Sequence, residues 1–110
     1  MDGMTEDGDI VVRIAELDID PVHRASFISA VKEEMEEAVR VEPGVLAIYA
    51  VAEKDNPSRL RFFEVYANDE AYRAHLESPH FRKYVAATGS MIRSRELIET
   101  QPIQLNSKMK

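Results

Sequence analysis

The chain has 110 residues, of which 45% are hydrophobic, and 14 Lys and Arg against 20 Asp and Glu give it a formal net charge of −6. That is the length of one domain and the composition of a globular one. Four of the acids (Asp2, Glu6, Asp7 and Asp9) fall in the first nine residues, leaving 16 acids to 14 bases and no concentrated basic run of the kind a phosphate backbone needs, so no nucleic-acid partner is expected.

The chain has no cysteine, which excludes disulfides, thiolate metal sites, Cys nucleophiles and iron–sulfur clusters. The opening MDGMTEDGD lacks the basic-then-apolar order of a signal peptide, and no apolar run approaches the ~18 residues of a membrane span. These features predict a soluble, cytoplasmic protein with no membrane partner.

Residues 1–8 are polar and acidic and read as a disordered tail. From Ile10 an alternating pattern predicts a strand over residues 9–17. Asp20-Pro21 then supplies an N-cap and a first-turn proline. Phe27, Ile28, Val31, Met35, Ala38 and Val39 recur at helical spacing up to Pro43-Gly44. Lys32, Glu33, Glu34, Glu36 and Glu37 read as the solvated face of that helix. His23 is expected to be exposed at its start.

The run VLAIYAVA, residues 45–52, reads as a strand apolar on both faces, and residues 53–58 as a turn. LRFFEVYA, residues 60–67, is the second arm of a hairpin. Asn68 caps a further helical segment that Pro79 interrupts, and helix resumes up to Gly89. A last strand spans about residues 91–100. Ile103 and Leu105 extend the apolar pattern into a C-terminal arm, residues 101–110, a candidate to cross to a partner subunit.

The order β–α–β–β–α–β is the split βαβ, or ferredoxin-like, arrangement of the α+β class, with helices on one face of an antiparallel sheet. Because the two middle strands are apolar on both faces, the uncovered face predicts association of two copies, a homodimer.

Few polar residues interrupt the apolar elements. Glu64 is a carboxylate inside an aromatic strand, where its charge needs a partner or its pKa rises. Arg61 and Arg93 are candidate partners, and a ligand pocket is the alternative. Tyr66 offers a hydroxyl on the same strand face. His75 and His80 are five residues apart, not the four that align two metal-binding histidines on one helix, and Pro79 lies between them. No metal is therefore expected, and one or both histidines are candidate acids, bases or donors. Phe62, Phe63, Tyr66, Tyr72, Phe81 and Tyr84 are candidate cavity aromatics. Phosphate-loop and dinucleotide fingerprints are absent.

The stretch from Glu42 to Thr88 resembles the antibiotic biosynthesis monooxygenase (ABM) domain, and most of all its quinol monooxygenase and autoinducer-2-processing branch. The resemblance is carried by Glu42-Pro43-Gly44, Phe63-Glu64-Val65-Tyr66, Asp69-Glu70-Ala71-Tyr72, His75 and Ser78-Pro79-His80-Phe81, and it extends over residues 9–100. It implies a dimeric α+β barrel with a ligand cavity in each subunit between sheet and helices. It also implies a cofactor-independent monooxygenase that oxidises a small quinol-like or polyphenolic molecule with dioxygen. In that reading His75, His80, Tyr66 and Glu64 are catalytic, and Phe62, Tyr72, Phe81 and Tyr84 bind substrate. The alternatives are an isomerase of the autoinducer-2-processing type, with Arg13, Arg61 and Arg93 at a basic cavity mouth, or a non-enzymatic binder of an aromatic metabolite. Heme-degrading relatives carry a histidine where this chain has Val85 and a tryptophan where it has Tyr66, so heme is not expected.

Overall fold

The computed structural model describes residues 9–109. The acidic tail expected over residues 1–8 lies outside the described residues. Strand β1 (Val11–Ile19) leads through a 3-10 turn (Pro21–His23) into helix α1 (Arg24–Val41). Strands β2 (Val45–Glu53) and β3 (Asn56–Tyr66) follow, then helices α2 (Asp69–Leu76) and α3 (Pro79–Thr88), a second 3-10 turn (Gly89–Met91) and strand β4 (Ile92–Glu99). The four strands form one antiparallel sheet in the order β2-β3-β1-β4. This is the expected ferredoxin-like α+β architecture.

Local chemistry sets the element ends. The Asp20 carboxylate accepts from the Val22 amide at 3.1 Å and starts the first helical turn. Asn68 caps α2 by accepting from the Ala71 amide at 2.8 Å, and Ser78 caps α3 by accepting from the Phe81 amide at 3.3 Å. Pro79 then occupies a first-turn position, where its missing N–H costs nothing. The hairpin is tighter than expected. β3 begins at Asn56, so only Lys54 and Asp55 lie between the strands instead of residues 53–58. Pairing jumps from Ala52 with Leu60 to Glu53 with Asn56, and this irregularity accommodates Pro57, which has no amide to donate.

The helices cover one sheet face. Ala15, Leu17, Ile19, Leu60 and Phe62 pack with Phe27 and Val31 of α1 in one buried cluster, and Ala38, Val45 and Tyr66 form a second. Glu34 lies on the same buried stripe of α1, at the seven-residue repeat from Phe27. On the opposite sheet face Tyr49, Val51 and Phe63 are exposed, Val51 by 62%. Phe63 thus points away from the helices and is not a cavity residue. Beyond β4 the chain has no regular structure through residue 109, and Ile103 is fully open to solvent. Among the described residues no helix is long and apolar enough to cross a membrane.

Gly44 fixes how closely α2 sits against the start of β2. Its carbonyl accepts from the Ala67 amide at 2.8 Å, and a Cβ there would fall inside contact distance of the Ala71 side chain. Overpacking of this kind costs about 1–3 kcal/mol. Gly44→Ala is therefore expected to lower stability by that amount, measured by denaturant unfolding with the slope unchanged.

Candidate active site

Between the sheet and the helices lies a cavity of about 270 Å³. β3 supplies Phe62, Glu64 and Tyr66, which alternate onto the helix-facing side of the strand. α2 supplies Tyr72 and His75, and α3 supplies Phe81 and Tyr84. Seven of the eight residues given catalytic or substrate-binding roles from the sequence thus line one space. The rings pack edge-on or tilted: Tyr66 lies 5.1 Å from Tyr72 and 5.5 Å from His75, and His75 lies 4.9 Å from Phe81. His80 is the exception. It lines an open groove of about 1160 Å³ on the outer side of the three helices, together with Glu42.

The polar groups of the cavity form two sets. In the first, the Tyr66 hydroxyl donates to Glu64 Oε1 at 2.8 Å. Neither expected arginine reaches Glu64. Arg61 pairs with Glu16 and Glu53 at the sheet surface, and Arg93 lies 3.5 Å from Asp20. Arg13 is instead the cross-strand neighbour of Glu64, with its guanidinium 4.5 Å over the Tyr72 ring and 3.3 Å from Glu99. Burial raises the Glu64 pKa above the ordinary carboxylate value, opposed by the Tyr66 hydrogen bond. Burial raises the Tyr66 hydroxyl as well, and the Glu64 charge adds to it. The Tyr84 hydroxyl is pushed up to about 12, chiefly by burial.

The second set joins residues distant in sequence. His75 Nδ1 lies 2.9 Å from Glu42 Oε2, and His80 Nε2 contacts the same oxygen. On the other edge of the ring, His75 Nε2 lies 3.4 Å from Glu34 Oε2. His75 is only 3% exposed and Glu34 6%. Burial raises the Glu34 pKa, opposed by the nearby His75 and His80. The proline break makes this meeting possible. It ends α2 just after His75 and restarts the chain as α3 before His80, so the two rings come 6.1 Å apart although they share no helix face.

Sequence reasoning missed Glu34 and Glu42. Glu34 reads as solvated because its neighbours are acidic, yet it sits on the Phe27, Val31, Ala38 stripe, and that spacing is the signal that finds it. For Glu42, which follows the end of α1, no local signal exists. Arg95 and Leu97 of β4 also line the cavity and are exposed, Leu97 by 61%. Arg95 has no carboxylate within ion-pair distance among the described residues, so a free cation stands at the cavity edge.

A two-layer α+β domain with an aromatic cavity beneath its helices, holding a desolvated carboxylate, is a ligand-binding class of protein. Residues 10–87 match the model of the antibiotic biosynthesis monooxygenase family. The chain belongs to that family. It is similar to the crystal structure of a candidate antibiotic biosynthesis monooxygenase of Bacteroides thetaiotaomicron, with 40% identity and a TM-score of 0.89 over 94% of this chain and 99% of that one. It is also similar to a candidate monooxygenase of Lactobacillus acidophilus, at 35% identity and a TM-score of 0.83, covering 86% of this chain but 45% of that longer one. A Caulobacter crescentus structure shares the fold at 18% identity and a TM-score of 0.83. No curated protein matches the sequence.

The Glu64 environment has a measurable consequence. Its native pKa is raised above the ordinary 4.5, so between that value and the native one the folded state holds a proton that the unfolded chain has lost. The resulting stability is complete below about pH 4.5 and disappears as pH rises through the native pKa. Wild-type stability measured by denaturant titration is expected to fall across that window relative to Glu64→Gln, which stays uncharged. Parallel pH profiles would rule out a desolvated Glu64.

Proposed function

We propose that the protein is a cofactor-independent monooxygenase that oxidises a small quinol-like or polyphenolic molecule with dioxygen, as a homodimer in the cytoplasm. Family membership supports an oxidoreductase. The observation that carries the finer reading is Glu64, a carboxylate held by Tyr66 inside an aromatic-walled cavity of about 270 Å³.

The chemistry follows from that arrangement. A hydroquinone stacks among Phe62, Tyr72, Phe81 and Tyr84 and gives a phenolic proton to Glu64. Desolvation makes Glu64 a stronger base than an exposed carboxylate. The phenolate passes one electron to dioxygen, and the resulting radicals combine to form a C–O bond. Loss of water from the hydroperoxide leaves a hydroxyquinone, so hydroquinone plus dioxygen gives hydroxyquinone plus water. The substrate supplies all the electrons. The Tyr66 hydroxyl, released when Glu64 takes the phenolic proton, donates to the developing oxyanion, His75 packs 5.5 Å from the Tyr66 ring and holds it in place, and dry walls strengthen the pull. His80 acts through Glu42 on the orientation of His75 and is a positioning residue. Arg95 at the edge favours a phenolate or another anionic substituent.

We further infer that the second copy packs on the apolar sheet face where Tyr49, Val51 and Phe63 are exposed, and that the C-terminal arm beginning at residue 101 crosses to it.

Oxygen uptake by the purified protein against a panel of hydroquinones is expected to exceed autoxidation, with one dioxygen consumed per quinol. Glu64→Gln and His75→Ala are each expected to lower kcat/KM at least tenfold, and His80→Ala less. Equal turnover under anaerobic conditions would identify an isomerase, and binding without turnover would identify a carrier. Light scattering is expected to give twice the 12.5 kDa chain mass, and Phe63→Glu is expected to shift it to the monomer.

A further inference from the structure

Glu34 Oε2 is buried and accepts no hydrogen bond, although His75 Nε2 lies 3.4 Å away. An unpartnered carboxylate oxygen is costly in a buried site unless a cation or proton meets it. The contact on the other edge of the His75 ring favours the tautomer in which no ring proton does so. Nδ1 faces Glu42 Oε2 at 2.9 Å, and a Nδ1–H donated there leaves Nε2 with a lone pair aimed toward Glu34. A carboxylate on the far nitrogen is the usual way a metal-binding histidine is oriented.

The spacing fits an ion. Zinc bonds of about 2.0–2.1 Å at tetrahedral angles set neighbouring ligand atoms about 3.3–3.5 Å apart. The Glu34–His75 separation of 3.4 Å has the length of such an edge, and it is long for a hydrogen bond. Ligand atoms of Glu34, His75 and His80 all lie within 4.8 Å of one another. His80 is the least buried of the three and its Nε2 is held by Glu42 Oε2, so coordination exchanges that contact for the ion and shortens the longer edges. The route in is acidic: Glu33, Glu37, Glu42 and Glu70 line the outer groove, where Lys83 is paired with Glu33 at 3.0 Å.

The geometry points to a divalent transition-metal site that takes Zn²⁺ on Glu34 Oε2, His75 Nε2 and a ring nitrogen of His80, with Glu42 as the carboxylate that orients His75. Two imidazoles and one carboxylate select zinc-like ions over Mg²⁺ or Ca²⁺. Three protein ligands leave a fourth position, and Glu34 borders both the cavity and the groove from which water or an anionic ligand would fill it. This reverses the expectation drawn from the five-residue His75–His80 spacing, because the break at Pro79, not one helix face, brings the rings together. The inference does not rest on the oxygenase reading. Zn²⁺ has no redox chemistry, and its binding is read without turnover.

The test is calorimetric titration of the chelator-treated full chain with Zn²⁺, alongside thermal unfolding with and without the ion. One Zn²⁺ per chain and a raised Tm are expected. Glu34→Gln and His80→Gln are expected to weaken binding by at least about 100-fold, more than the 10–100-fold typical of an outer-shell partner, which is expected for Glu42→Gln. His23→Gln, in the exposed first turn, is expected to leave affinity unchanged. Circular dichroism in chelator verifies that each variant folds, and His80→Gln alters the least buried ligand should Glu34→Gln fail to fold. Absence of one-to-one binding, or equal affinity in wild type and His80→Gln, would overturn the site and leave a shared proton between Glu34 and His75. Zinc binding without oxygen uptake would leave this site standing and remove the oxygenase, and the converse result would do the reverse.

Discussion

One carboxylate oxygen, Glu42 Oε2, holds together three segments that chain order keeps apart. It contacts the end of α2 through His75 and the start of α3 through His80, while itself following the last turn of α1. These helices roof the cavity, so their mutual placement sets its shape. Close packing at Gly44 and the Ser78 cap serve the same geometry, the first by letting α2 approach β2 and the second by starting α3 at the required angle. A hydrogen-bonded anchor at this junction is less tolerant of drift than an apolar contact, because each group left unpaired in a buried site costs more than the bond itself contributes.

The cavity inverts the usual rule for carboxylates. Glu34 and Glu64 sit among aromatic and aliphatic walls without an arginine close enough to neutralise either. Desolvation therefore dominates, and both are raised. Each still has a polar neighbour that limits the rise: Tyr66 for Glu64, the two histidines for Glu34. The surface pairs of the same protein, such as Arg73 with Asp69 and Arg40 with Glu37, are exposed and contribute little to stability. The two carboxylates that lack an arginine partner and are raised thus sit where water is scarce.

Family membership and chemistry rest on different residues. The alternation of β1 and β3, the apolar stripe of α1 and the caps of α2 and α3 build a sheet-and-helix frame that recurs at 18% identity in the Caulobacter structure. What that frame does depends on the side chains aimed into it, and a shared fold leaves those open. In this chain they are two carboxylates, one histidine and a tyrosine within an aromatic shell, with a second histidine on the groove outside and an arginine with no carboxylate partner at the edge among the described residues.

The fold was legible because its signals are local. Alternation at Ile10–Ile14, the stripe of Phe27, Val31 and Ala38, Asp20-Pro21, Pro43-Gly44 and Ser78-Pro79 each act within a few residues of themselves. The cavity aromatics were legible for the same reason: a known strand face and a known helix face suffice to place Phe62, Tyr66, Tyr72 and Tyr84. The hairpin was the local exception, since the pairing slip at Pro57 depends on how two strands align. Glu34 was hidden by acidic neighbours, although its seven-residue repeat from Phe27 marked it. Glu42 and the outward position of His80 lay beyond any local signal, whereas Tyr66, the partner of Glu64, stands two residues along the same strand face. The sequence by itself determined the elements, their order and the faces that had to be buried, because periodicity and capping operate over one or two turns. Only the tertiary structure decided which carboxylate meets which histidine, because those contacts span 33 to 41 residues of chain and exist only once three helices close on the sheet.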